Sequence, residues 1–194
     1  FSLAFTTEDN VRLCMHCANP FLTDDEHREW KHLYSDSDMG KEGKIILTGG
    51  RYETPNDVSL LMQDCDIGLF PSRAEGWGLP ILDMLSMGKT IITTNYSGQT
   101  EYCTNQNSHL IDIDEMEIAY DDKWFMGENG QWASLDVDKI AAKMREVYDS
   151  GIWKTKNEEG IKTAKQFSWK NSAEKLSGVL ELYADYGKRA QKNN

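Results

Sequence analysis

The residues best suited to chemistry lie in one run, LFPSRAEGWGLPILDMLSMGKTIITT, from Leu69 to Thr94. Glu75 is followed by Gly76 and Gly78 flanking Trp77, then by Leu79 and Pro80, with Asp83 three residues further on. Glycines let a backbone come close to a ligand. A proline opening a helix leaves its neighbours' amides unpaired at the positive end of the helix dipole, an arrangement that attracts a diphosphate. Side chains on a helix lean toward its N-terminus, so Asp83, one turn in, projects back over the pocket that Glu75 enters from the loop. Carboxylates beside a phosphate cost energy unless something donates to them, and the hydroxyls of a ribose or hexose are suitable donors. The chemistry indicated is recognition of a sugar nucleotide. Taken singly, each feature has a plain reading: an acid in a first turn suits the dipole, and Gly-Trp-Gly makes an ordinary tight loop. Their conjunction in one strand-loop-helix unit carries the argument.

The elements that must hold this run follow from hydrophobic periodicity. Short apolar runs alternate with segments of helical period, the pattern of parallel strands joined by crossover helices. Strands are expected at Val11 to Cys17, Lys44 to Thr48, Ile67 to Phe70, Thr90 to Thr93 and His109 to Ile113. Helices are expected at Asp24 to Tyr34, largely exposed; at Pro55 to Asp64, capped by Thr54; and at Pro80 to Met87, ended by Gly88. An acidic, aromatic stretch from Asp114 to Trp132 has no clear period and reads as a long excursion, whose Trp124, Phe125 and Trp132 pin the loop, the favoured reading, or shape the edge of a ligand cleft. Val137 to Ser150, Lys154 to Gln166 and Trp169 to about Lys188 read as three closing helices that cover the core, with Lys188 to Asn194 frayed. The fold class is an α/β, open, mainly parallel Rossmann-like sheet with helices on both faces and its ligand site at the carboxyl ends of the strands.

A chain of 194 residues with 39% hydrophobic and 27% charged residues reads as one globular domain. Its formal charge of −11 argues against nonspecific nucleic-acid binding, which needs a basic face. No apolar run is long enough to span a bilayer, and a cytoplasmic location is the default expectation. Cys14 and Cys17 fall in a strand-like stretch with no second pair to complete a zinc site, so the four cysteines read as reduced core residues. No metal is expected, and the acid pairs Asp24-Asp25 and Asp121-Asp122 read as solvated surface. The four histidines have no evident catalytic partner in sequence. The opening FSLAF reads as the apolar stripe of a helix already under way.

The stretch EGWGLPILDMLSMGKTIITTNYSGQTE resembles the signature of the retaining glycosyltransferases built on two facing Rossmann-like domains (GT-B, glycosyl transferases group 1), in which a glutamate is followed by a second acid. DVSLLMQDCDIGLFPS ahead of it and FSWKNSAEKL near the end extend the resemblance from about Lys44 to Tyr183. It implies the donor-binding, C-terminal half of such an enzyme. Glu75 would then lie against the donor hexose near the reacting carbon, as the catalytic group, with the amides of Gly76, Trp77 and Gly78 beside the sugar. Gly78 and Leu79 would meet the diphosphate, and Asp83, where the family usually has Glu, would hold the ribose hydroxyls. The loop Gly49-Gly50-Arg51-Tyr52 lies where the family contacts the base, so Gly49, Arg51 and Tyr52 are base-binding candidates. The resemblance also implies a basic phosphate ligand on the loop after a first strand that should precede Phe1, an acceptor-binding domain outside this chain, and no cofactor beyond the nucleoside-diphosphate sugar. A non-catalytic nucleotide-sugar-binding module and another sugar-nucleotide enzyme such as an epimerase stay open as alternatives.

Overall fold

The structure, a computed structural model, describes residues 1–17, 22–49, 52, 54–120 and 130–192. Its parallel strands fall in two blocks. In the first, β1 (Leu13–Cys17) pairs with β2 (Ile45–Gly49), with Leu13 opposite Ile45. In the second, β3 (Ile67–Phe70), β4 (Thr90–Thr94) and β5 (His109–Ile111) lie side by side, with Ile67 opposite Thr90 and Ile92 opposite His109. Between strands run α1 (Asp24–Ser35), the short α2 (Asp38–Lys41), α3 (Pro55–Gln63) and α4 (Leu79–Ser86). After β5 come an antiparallel hairpin of β6 (Met116–Ile118) and β7 (Gln131–Ala133), then α5 (Val137–Ser150), α6 (Glu158–Gln166) and α7 (Trp169–Lys192). This is the α/β architecture that the alternation of periods predicts.

The core is double, and β4 divides it. All five β4 residues are buried. Ile91 packs with Ile81, Leu82 and Leu85 of α4, with Ala164 of α6 against the same cluster, whereas Ile92 packs with Phe5, Met39 and the α5 residues Met144 and Val147. Successive strand residues point to opposite faces, so helices cover the sheet on both sides.

Local chemistry sets the helix ends. Thr54 caps α3 in a reciprocal box with Asp57 behind Pro55, and Thr23 does the same for α1 with Glu26. The side chain of Asp136 accepts from the amides of Asp138 and Lys139 at the start of α5. Gly88, at φ 74°, lies where the chain leaves α4 in the left-handed region. As expected of a highly charged helix, α1 buries none of its residues.

Four expectations change. Phe1 to Phe5 form a turn rather than a helix, with the amides of Ala4 and Phe5 both donating to the Phe1 carbonyl and Phe5 buried against Tyr148. The excursion from Asp114 to Trp132 carries the β6–β7 hairpin at its ends. α6 starts at Glu158 rather than Lys154, because Ile152–Lys154 makes a separate 3-10 turn and Asn157 supplies the cap, its side chain accepting from the Gly160 amide. α7 continues to Lys192, past the expected fraying at Lys188, and Leu176, Val179, Leu180, Leu182 and Tyr183 on it are all exposed, so through residue 184, unlike α5 and α6, it does not cover the core.

Candidate functional site

The loop between β3 and α4 holds Glu75 at its centre. Its carboxylate Oε1 accepts from the Ser72 hydroxyl at 2.9 Å. Its main chain is gripped from the far side by the turn after β4: the Ser97 hydroxyl donates to the Glu75 carbonyl at 2.7 Å and accepts from the Glu75 amide at 3.1 Å, and the Gly98 amide donates to the same carbonyl at 3.0 Å. The end of β4 also braces the neighbouring loop, the Thr93 hydroxyl donating to the Phe70 carbonyl and that of Thr94 to the Ser72 carbonyl.

Gly78 is the residue just before α4, in the left-handed region at φ 77°, ψ 52°, and no side chain among the described residues caps the helix. Among the described residues, the amides of Gly76, Trp77, Gly78 and Leu79 donate to no protein acceptor. The Gly78 carbonyl accepts from Ile81 at 3.0 Å and Leu82 at 3.4 Å, which starts the helix and leaves the loop amides outside it. Gly76 and Leu79 are exposed while Gly78 is buried. The start of α4 is thus a helix end with free amides, the local geometry that the run of glycines and Pro80 predicts.

Tyr102 fixes this geometry from beneath. Its hydroxyl lies 2.7 Å from both the Trp77 and Gly78 carbonyls, donating to them, and a Cβ on Gly78 would lie 2.9 Å from that oxygen. Its ring packs with Trp77 and Phe167, at centroid distances of 5.2 and 5.8 Å. Burial pushes the phenol far above its ordinary range, with Cys103, Glu75 and Asp83 adding negative charge nearby. Tyr102 therefore stays a proton donor at any working pH, and it feels both Glu75 and Asp83. Asp83 is exposed, yet protein around its carboxyl removes enough water to push it above the usual aspartate range.

The structure thus brings Glu75, Gly76, Trp77, Gly78, Leu79 and Asp83 together around the start of α4. Gly49 ends β2, and Tyr52 packs its ring against His16 at 4.4 Å between centroids, at the carboxyl ends of β1 and β2. No hydrogen bond, ion pair or ring contact among the described residues links Gly49 or Tyr52 to the Glu75 loop; Arg51 lies outside the described residues. Ser72, Ser97 and Tyr102 escape sequence reasoning. The one signal for them is their place in the turns that directly follow β3 and β4.

The hairpin joins the site through Arg73, which pairs with Glu117 and sits over the Trp132 ring at 5.2 Å; the Trp132 indole donates to the same Glu117 at 2.8 Å. Trp132 thus pins the excursion as expected. Trp124, Phe125, Asp121 and Asp122 lie outside the described residues. Asp25 is paired with Arg28, and among the described residues no group of three or more His, Cys, Asp or Glu is disposed to hold a metal. Cys14, Cys65 and Cys103 are free thiols.

Comparison with known proteins places this geometry. The family described as glycosyl transferases group 1 matches residues 4–122, more than half of the chain. A Campylobacter jejuni relative, N,N'-diacetylbacillosaminyl-diphospho-undecaprenol alpha-1,3-N-acetylgalactosaminyltransferase, is 27% identical over 159 residues, covering 65% of this chain and 39% of its own. Among solved structures, sucrose-phosphate synthase from Thermosynechococcus elongatus superposes with a TM-score of 0.64 at 16% identity, over 90% of this chain and 39% of that one. Anabaena HepE in complex with UDP superposes at 0.60 and 15% identity, over 88% and 41%. These likenesses show the shared GT-B fold. The chain spans about two fifths of the length of the Campylobacter relative, and none of its described helices is long and apolar enough to cross a membrane.

Proposed function

We propose that this chain, which belongs to the glycosyl transferases group 1 family, binds a nucleoside-diphosphate sugar and serves as the donor half of a retaining glycosyltransferase. The observation that carries the reading is the row of unengaged amides from Gly76 to Leu79 at the start of α4, bracketed by Glu75 and Asp83. A diphosphate there receives hydrogen bonds from Gly78 and Leu79 and the favourable end of the helix dipole. As the bond to the anomeric carbon breaks, negative charge grows on the diphosphate, and fixed amides stabilise it without reorganising and without an obligatory metal. Glu75, its carboxylate held by Ser72, accepts from hexose hydroxyls beside the reacting carbon. Asp83 accepts from the ribose hydroxyls, and Tyr52, with Gly49 and Arg51, receives the base.

The reaction needs an acceptor held in line with the donor and shielded from water. We assign that task to an acceptor-binding domain of a longer parent polypeptide, together with the strand and basic phosphate ligand expected ahead of Phe1. The length of the relatives supports this. The free thiols of Cys14, Cys65 and Cys103 among the described residues suit a reducing compartment such as the cytoplasm.

The test is a thermal-shift and calorimetric panel on this chain with UDP, GDP and ADP and their sugars. A ligand at a hundred times its dissociation constant stabilises by about 2.7 kcal/mol. Asp83→Ala should weaken binding of the nucleoside diphosphate, while Glu75→Gln should leave that binding intact and impair transfer in the parent protein. Absence of any nucleotide response, or equal loss of nucleotide affinity in both variants, overturns the assignment.

A further inference from the structure

Among the described residues Ser97 alone combines a side chain with a positive φ. Its φ of 70° and ψ of −155° lie in a region populated almost only by glycine. Such a conformation persists where its surroundings hold it from several sides. Here the Ser97 carbonyl accepts from the Thr100 amide at 3.0 Å and the Thr100 hydroxyl at 2.7 Å. The next turn is tied down by Gln99, fully buried, whose side-chain amide donates to the Thr94 carbonyl and hydroxyl at 3.1 and 3.0 Å.

What the strain accomplishes is visible in the side chain. The Ser97 hydroxyl reaches back to both polar groups of one residue, the amide and the carbonyl of Glu75. Gly98 then lies so close that a Cβ on it would be 2.3 Å from the Gly76 carbonyl oxygen. The carboxylate end of Glu75 is held separately, by Ser72. Glu75 is thus fixed at its backbone by one serine and at its carboxylate by another.

We propose that Ser97 is a positioning residue for Glu75, its strained backbone aiming the hydroxyl so that the Glu75 carboxylate is held ready for the sugar moiety of a nucleoside-diphosphate sugar. The inference rests on the donor-binding reading given above. It separates the sugar from the nucleotide: Ser97 acts on the group that meets the hexose, not on the amides that meet the diphosphate.

Two variants distinguish aim from strain. Ser97→Ala keeps the side-chain carbon at positive φ and removes the hydroxyl, whereas Ser97→Gly removes the hydroxyl and relieves the backbone. Both should speed amide exchange at Glu75 by about tenfold or more, since the native donor loses its acceptor. With whichever of UDP-glucose, UDP-N-acetylgalactosamine and GDP-mannose the wild-type chain binds best, both variants should lose about tenfold in affinity, while affinity for the matching UDP or GDP stays within about twofold. A purely structural role for Ser97 predicts otherwise. Ser97→Gly would then match the wild type in sugar-nucleotide affinity although its Glu75 amide exchanges faster, or both ligands would weaken together, and either result overturns the proposal. If the wild type binds none of these ligands, the donor-binding reading fails, and exchange at Glu75 still decides whether Ser97 holds it.

Discussion

Removing one oxygen from Tyr102 tests how the loop between β3 and α4 is held. Tyr102→Phe keeps a ring that is 2% exposed and packed on Trp77 and Phe167. It deletes the hydroxyl that lies 2.7 Å from the Trp77 and Gly78 carbonyls. A hydroxyl has one proton to share, so about one hydrogen bond is lost, worth about 1 kcal/mol net. The Gly78 carbonyl retains Ile81 and Leu82 as donors, but that of Trp77 keeps none among the described residues, which adds part of a desolvation penalty. The expected destabilisation is about 1–2 kcal/mol. For a chain of this size that lowers the melting temperature by about 3–6 °C. The urea midpoint should fall with an unchanged slope, because no additional surface is exposed. Nucleoside-diphosphate affinity should fall as well, since Gly78 loses the contact that holds it in its left-handed conformation. Because the phenol stays protonated, the deficit should be the same from about pH 6 to pH 9. A loss below about 0.5 kcal/mol, typical of an inconsequential surface change, with unchanged nucleotide affinity, would refute this account of the loop.

Two further outcomes follow from titration. The folded chain binds the Asp83 proton more tightly than the unfolded chain does, so native stability falls as pH rises through and above the ordinary aspartate range, and the ionised carboxylate is a cost at neutral pH. Asp83→Asn should therefore raise the urea midpoint of the ligand-free chain at neutral pH while weakening nucleotide binding; a lowered midpoint would show that the carboxylate stabilises the fold instead. His109 is shifted the other way for a base, its value lowered by burial, with Glu146 opposing and Lys143 assisting. The unfolded chain takes up the proton first, so stability is full above about pH 6.5 and declines as pH falls through that value; urea titrations of wild type and His109→Gln should converge at high pH and diverge below it.

The parts legible in sequence are those whose causes are local. Thr54, Pro55 and Asp57 announce the start of α3 within four residues, and the structure forms that capping box. Gly76 to Pro80 likewise contain their own reasons for a free helix end. The supports of that end are not local: Ser97 and Tyr102 reach Glu75 and Trp77 across 22 and 25 residues, and a serine or tyrosine gives no periodic signal of such a role. The shifted start of α6 has the same origin. Asn157 caps the helix with its oxygen while its amide nitrogen donates to the carbonyls of Lys89 and Asn107, and this long-range tie overrides the helical period from Lys154 onward. β6 and β7, at three residues each, are too short for alternation to show.

The placement of Ile91 and Ile92 in separate cores has a practical meaning for protein engineering. β4 is a partition one residue thick, so neighbouring codons address different compartments of the molecule. Substitutions at Ile91 press on α4 and hence on the ligand loop, and they should change yield and ligand response together. Those at Ile92 press on α5 and the N-terminal turn, and should change yield alone. A library meant to retune ligand response should therefore vary the α4 side and be screened for yield at the same time, while a library meant to stabilise the chain without touching ligand response should vary the α5 side alone.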